Sequence, residues 1–183
     1  MIKTNRLTIR KLGFADCRDY YEIFGNPNIS RYDDFDPIRE GESRANIERI
    51  IDHYNKNASE LEFAVEYREE QKVIGVLALL IEDGTVYIGF HFNEAYHGRG
   101  LATEAVIAFL PWLHKTYHLP IKAVTDPANQ SSIRVLGKLG FHLEEKIVRR
   151  AGSSVIRELR FALARPVAAV ARARTARRLK RFA

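Results

Sequence analysis

Apolar and polar residues alternate at 6–10, the period-two pattern of a strand with one buried face, and the apolar-rich runs 61–68, 72–82 and 85–93 predict three more strands. The polar turn REEQ joins the second and third of these runs, and Asp83–Gly84 is a two-residue hairpin signal before the fourth. A 3.6-residue period takes over at 14–25, 41–57, 101–116 and 131–139, predicting four helices. The third places Leu101, Ala105, Phe109 and Trp112 on one face. It also contains Pro111, which predicts a kink or a freed carbonyl at Ile107. The loop between the first two helices is rich in turn residues, with NPN and DDFDP. A strand at 121–126 and a hairpin of 142–149 and 154–164 complete the body, and no internal repeat is visible.

Composition narrows this to one domain. The chain has 183 residues, 46% hydrophobic and 28% charged, enough for a substantial core. The opening MIKTNRLTIRKL has no apolar h-region, and no uncharged apolar run approaches the ~20 residues of a membrane span. A single cysteine, Cys17, excludes an internal disulfide framework and suits a reducing cytoplasm, which is the expected location. The net charge of +6 is unevenly placed. Residues 165–183 hold Arg165, Arg172, Arg174, Arg177, Arg178, Lys180 and Arg181 and no acidic residue, so residues 1–164 are near neutral. The chain therefore divides into a body, 1–164, and a basic Ala/Arg-rich tail, 165–183. The tail is helix-competent, with Pro166 suited to a first helical position. It reads as a solvated tail, a surface-bound helix or an electrostatic contact to RNA or the ribosome.

The chemistry concentrates after the strand VYIGFHF at 86–92. The segment YHGRGLATEAV at 96–106 is a glycine-rich turn between a strand and a helix. Gly98 and Gly100 carry no Cβ, so the chain can turn sharply and come close to a ligand. Leu101, Ala102 and Thr103 fall on the first helical turn, whose N–H groups have no intrahelical partner. Those donors and the helix dipole favour a phosphate or pyrophosphate. Neither the P-loop pattern nor GxGxxG after the first strand is present.

Residues 96–106 resemble the acetyl-CoA-binding motif of the GNAT acyltransferases, most closely the branch of ribosomal-protein N-terminal acetyltransferases (the RimJ/RimL type). NQSSIRVLGKLGF at 129–141 resembles that branch's Asn-x-x-Ser…Lys-x-Gly-Phe segment, and TNRLTIRKL at 4–12 resembles its first strand. The resemblance covers roughly residues 4–164. It implies an α/β architecture, the GNAT fold: a mixed, twisted, mostly antiparallel sheet with a central splay and helices on both faces. It further implies acetyl-CoA as acyl donor, no metal, and a primary amine as acceptor, first a protein N-terminal α-amine. A small cationic amine such as a polyamine or aminoglycoside, and a non-catalytic acyl-CoA-binding module, are the alternatives. Monomer and homodimer both remain open. By resemblance, His97, Gly98, Arg99, Gly100, Leu101, Ala102 and Thr103 would hold the pyrophosphate. Backbone groups near Phe90 and Phe92 and the side chains of Asn129 and Ser132 would meet the pantetheine arm and its thioester.

Two positions depart from the family pattern. His97 stands where Gln, Arg or Trp is usual, and Tyr87 stands where a Glu is common. An amine is protonated at neutral pH and must lose a proton before it attacks, so a base is needed. Tyr87, Gly89 and His91 share one strand face, which makes His91 the candidate base, with Glu82 and Asp126 behind it. Ser132 is the candidate acid for the departing thiolate, although Asn129 and Ser132 also suit helix capping. Tyr32, Asp33 and Asp34, with Phe35 and Asp36, lie in the loop that borders the acceptor site in the family. They would attract a cationic amine or form a solvated turn. Lys138, Gly140 and Phe141 read as fold elements, Cys17 as a buried helix residue, and Glu104 as a complement to the helix N-terminus. His114 and His118 are spaced i, i+4 but lack a third ligand.

Overall fold

The structure, a computed structural model, describes residues 1–33, 35–151 and 154–163. Asp34 and the basic tail 165–183, with the readings placed on them, lie outside the described residues. Eight strands make one sheet: β1 (Ile2–Lys3), β2 (Leu7–Lys11), β3 (Glu60–Tyr67), β4 (Lys72–Glu82), β5 (Thr85–Phe92), β6 (Ile121–Thr125), β7 (Phe141–Ala151) and β8 (Ser154–Leu163). Their spatial order is β1-β2-β3-β4-β5-β6-β8-β7. Every neighbouring pair is antiparallel except β5 and β6. The five α-helices are α1 (Cys17–Phe24), α2 (Pro27–Ser30), α3 (Ser43–Lys56), α4 (Leu101–Tyr117) and α5 (Gln130–Leu139). This is the mixed sheet with helices that the GNAT resemblance implies.

Alternation along the strands gives the sheet two apolar faces. On one, Leu7, Val65, Leu77, Leu79, Ile88 and Phe92 pack with Leu101, Phe109 and Leu113 of α4 and Leu136 and Leu139 of α5. On the other, Ala64, Val73 and Val76 pack with Tyr20, Ile23 and Phe24 of α1 and Ile47, Ile50 and Tyr54 of α3. The predicted face of α4 is the one that packs, with Leu101, Ala105 and Phe109 buried and Trp112 stacked on Phe109 at 5.2 Å between ring centres. The helix runs through Pro111, which is exposed, and continues to Tyr117.

The parallel pair creates the opening. β5 and β6 are in register only at Val86↔Ile121 and Tyr87↔Lys122. Beyond Tyr87, β5 stays paired to β4 as far as Phe92, while β6 follows β8. The strands part, and among the described residues one edge of β5 beyond Tyr87 has no paired strand. Val86 N–H bonds the Pro120 carbonyl on that side, whereas Asn93 N–H bonds Ile74 on the β4 side. Backbone groups alternate sides along a strand, so those of Ile88, Phe90 and Phe92 face the gap.

Three differences from the sequence reading are local. β1 is two residues long, too short to register as a period. The helices predicted from 14 and 41 begin with 3₁₀ turns, Phe14–Asp16 and Glu40–Glu42. The loop between them contains the short α2, capped by Asn26, whose side chain accepts from Asn28 N–H at 2.9 Å.

Candidate active site

A cavity of about 480 Å³ fills the splay between β5 and β6. One end of it is the glycine turn. Gly98 and Gly100 hold φ of +74° and +75°, a conformation that costs side-chain-bearing residues free energy. A Cβ at Gly98 would meet nothing within 4 Å, and one at Gly100 would meet only the Arg6 guanidinium at 4.0 Å. Among the described residues, no atom therefore crowds either glycine. The first helical bond of α4 runs from Glu104 N–H to the Gly100 carbonyl, and no side chain caps the helix. The N–H groups of Leu101, Ala102 and Thr103 remain as donors at the positive end of a 17-residue helix.

The turn is braced from outside. Glu104 accepts from Thr4 Oγ1 at 2.6 Å and from Arg6 Nε at 2.8 Å, and Arg6 Nη1 donates to the Arg99 carbonyl at 3.1 Å. Partial burial raises the Glu104 carboxyl, but the Thr4 and Arg6 hydrogen bonds outweigh it and hold the group below its ordinary range. Arg99 turns away from the cavity. Its guanidinium lies 5.0 Å from the Tyr67 ring centre and 5.3 Å from that of Tyr96, and donates to Tyr67 Oη at 3.1 Å. His97 Nε2 sits 2.8 Å from the Phe92 carbonyl. A carbonyl only accepts, so that nitrogen carries the proton and the ring ties the turn back to β5.

Across the gap, Asn129 caps α5, accepting from Ser132 N–H at 3.0 Å and Ser131 Oγ at 2.8 Å. That occupies its carbonyl oxygen and leaves its amide NH₂ as a donor in the cavity wall. Ser132 is half-buried in the same wall, and its hydroxyl has no partner among the described residues. Lys138, read from sequence as a fold element, also borders the cavity with Arg134, one turn away on α5.

The other end of the cavity is built from side chains. His91 on β5 places Nε2 3.3 Å from Asp33 Oδ2, between the rings of Phe24 and Phe35 at 5.3 and 5.5 Å. Tyr32 and Asp33 line this end with Asn28. Glu94 accepts from Asn26 and Asn28 side chains at 3.1 and 3.0 Å, clamping the α2 segment to the end of β5. These bonds, that of Asn28 first, hold the Glu94 carboxyl below its ordinary range.

Of the residues singled out from sequence, Phe90, His91, Phe92, His97, Gly98, Gly100, Leu101, Ala102, Thr103, Asn129, Ser132, Tyr32 and Asp33 border this one cavity. Arg99, Tyr87, Glu82, Asp126, Phe35 and Asp36, all described, do not. Arg99 is held by the tyrosines, and Tyr87 lies below the point where the strands part. Glu82 ends β4 beside the hairpin turn, and Asp126 is engaged in an Asx turn, accepting from Ala128 N–H at 2.6 Å. Cys17 opens α1 half-buried against the second apolar cluster.

Residues 6–142 match the acetyltransferase (GNAT) domain. The chain belongs to the GNAT acetyltransferase family. It is 33% identical over 146 residues to YnaD of Bacillus subtilis (strain 168), an uncharacterized N-acetyltransferase, covering 78% of this chain and 83% of the relative. It is 29% identical over 100 residues to the [ribosomal protein uS5]-alanine N-acetyltransferase of Escherichia coli (strain K12), covering 52% of each. A GNAT-family acetyltransferase structure from Bacillus anthracis superposes with a TM-score of 0.76 at 28% identity, covering 88% of this chain and 96% of that one. The GNAT chain described here is an acetyl-CoA-dependent N-acetyltransferase, and structures of its fold hold CoA or acetyl-CoA. Among the described residues, no group of three or more His, Cys, Asp or Glu side chains could hold a metal ion, and no helix is long and apolar enough to cross a membrane.

Proposed function

We propose that this N-acetyltransferase is of the RimJ/RimL type and acts on the α-amine of a protein N-terminus in the cytoplasm, by direct attack on acetyl-CoA. The observation that carries the reading is the continuity of the cavity. One opening joins the glycine turn, the free edge of β5 and the His91–Asp33 pair. The half-length similarity to an enzyme named as an alanine N-acetyltransferase of ribosomal protein uS5 supports the acceptor class.

Each residue then has a part. The N–H groups of Gly98 to Thr103 hold the pyrophosphate. The gap-facing groups of Phe90 and Phe92 pair with the pantetheine amides, and the Phe92 N–H polarises the thioester carbonyl. Asn129 donates to the pantetheine arm, and Ser132 supplies a proton to the CoA sulfur as it leaves. Asp33 accepts from His91 Nε2, which leaves Nδ1 as the lone pair that takes a proton from the amine. Tyr32 and Asp33 receive the cationic acceptor. The basic tail 165–183 provides an RNA or ribosome contact that brings a ribosomal-protein acceptor to the domain.

Release of CoA thiol against a panel of amines tests this reading. The panel holds peptides with varied N-termini, spermidine and an aminoglycoside. A peptide preferred over both small amines supports it. Preference for spermidine or the aminoglycoside overturns the acceptor class, and acetyl-CoA binding without release to any amine overturns the enzyme reading in favour of a binding module.

A further inference from the structure

One buried titratable group beside the cavity has no part in the steps above. Glu62 stands on β3 with its side chain only 13% exposed. Its register partner is Ala78 of β4, and the partner of Ala78 is Gly89 of β5, which lines the cavity. Directly opposed residues share a sheet face, so Glu62, Ala78, Gly89 and, two residues on, His91 lie on the same side. In this row the one residue between Glu62 and the cavity-lining Gly89 is Ala78, whose side chain is a methyl group, and Tyr20 and Phe24 of α1 pack on the same face. The adjoining rows, Ala64–Val76–His91 and Glu60–Leu80–Tyr87, wall the trough with His91 and Tyr87 at its β5 end. Strands about 4.8 Å apart set the Glu62 and Gly89 backbones roughly 10 Å apart, a span suited to a short chain of waters.

The groups around Glu62 come from four elements. Tyr20 of α1 donates to Oε2 at 3.5 Å, and Arg49 of α3, itself 49% exposed, lies 3.9 Å from Oε1. Glu60 is on the same strand, and His91 acts from β5, its Nε2 3.3 Å from Asp33 Oδ2. Burial pushes the Glu62 carboxyl above its ordinary range and Glu60 adds to this, while Arg49, His91 and the Tyr20 hydrogen bond pull it down; burial wins. A carboxyl held above its ordinary range exchanges protons with an imidazole at smaller free-energy cost than an ordinary carboxyl does.

We propose that Glu62 is the second carrier on the path by which the acceptor's proton leaves the site. The inference rests on the reading of His91 as the first proton acceptor. A primary ammonium loses two N–H protons on its way to a secondary amide. One ends on the CoA sulfur when the C–S bond breaks, and the other is released. The released proton breaks from the amine nitrogen onto His91 Nδ1. The Nδ1–H bond then breaks and its proton moves through water over Gly89 and Ala78 to the Glu62 carboxylate, which leaves the imidazole neutral with Nδ1 again a lone pair. Glu62 returns the proton to bulk solvent before the next turnover.

The test is the pH dependence of kcat/KM with the preferred amine of the panel, beside an acetyl-CoA titration and a melting curve. The proteins are wild type, Glu62→Gln, Glu62→Asp and Glu62→Ala with and without formate. Turnover of Glu62→Gln should fall about 10- to 100-fold, with acetyl-CoA affinity and Tm kept. The Asp variant should recover part of the rate, and formate should raise the rate of the Ala variant. Wild-type turnover in Glu62→Gln overturns the proposal alone. So does a loss of rate that tracks a fall in Tm and is not recovered by Asp or formate, because that is a structural ion pair. Wild-type turnover in His91→Gln instead overturns the reading of His91 beneath it.

Discussion

The two ends of the cavity are made of different material. The donor end is backbone: the gap-facing edge of β5, the two positive-φ glycines and the open N–H groups of α4. The acceptor end is side chains brought from α1, α2 and its following loop, and β3: Phe24, Asp33, Phe35 and Glu62 around His91. A backbone site recognises a group common to all donors of one class and tolerates changes of side chain. A side-chain site sets which acceptor fits and changes with each substitution. The contrast teaches that substitutions at the two ends should separate donor binding from acceptor choice.

The largest expected effect strikes both ends together. Gly75 of β4 supports the last residues of β5, and a Cβ there would lie 2.6 Å from the Phe92 ring and 2.9 Å from the His91 carbonyl. Gly75→Val should destabilise the fold by about 1–3 kcal/mol through overpacking, read as a lower denaturation midpoint, and weaken acetyl-CoA and amine alike. An unchanged midpoint would show that β5 can move away from β4 without loss. Next, Ser132→Ala should lower turnover roughly 10-fold or more while acetyl-CoA affinity stays within about 3-fold. A loss confined to affinity would make Ser132 a binding residue only.

The brace behind the glycine turn gives a pH effect. The Glu104 carboxyl is held below its ordinary range in the folded state. Its contribution is therefore present above the unfolded carboxyl value of about 4.3 and is lost as pH falls through the lower folded value. Denaturant midpoints of wild type and Glu104→Gln should converge on acidification below pH ~4; a constant gap would show that the charge is not what braces the turn. The smallest effect falls on acceptor choice. Asp33→Asn should raise KM for a cationic amine about 3- to 10-fold and leave acetyl-CoA affinity unchanged, and a loss of donor affinity would show that the two ends are not separable.

The donor end was legible in the sequence because its parts are contiguous. Residues 98–103 lie in one turn, and alternation in VYIGFHF already tells which groups share a side. The splay was not legible, because the register of β5 against β6 is set by β8 and by packing on α4 and α5, far along the chain. Arg99 shows the same limit at one residue. Its place in the motif suggests phosphate, but Tyr67, 32 residues earlier, captures its side chain. Glu62 was missed for a related reason: within ELEFAVEY it is one of three glutamates, and only the pairing through Ala78 to Gly89 sets it apart. His91 and Asp33 were each read separately, while their contact depends on the α2 segment being clamped by Glu94, whose hydrogen bonds to Asn26 and Asn28 no periodicity announces.

The most direct test of the central claim is calorimetric titration of acetyl-CoA into wild type and Gly100→Glu. The substitution adds a side chain and a negative charge to the turn proposed to hold the pyrophosphate, at a position with φ of +75° where the nearest described atom to its Cβ is Arg6 Nη2 at 4.0 Å. A melting curve of each protein separates lost binding from lost fold. The account predicts one acetyl-CoA bound per wild-type chain and at least a roughly 100-fold loss of affinity in a folded variant, the size expected when charge-assisted donors are replaced by a repelling carboxylate. Equal affinity in the two proteins would contradict it and would move the donor away from the glycine turn.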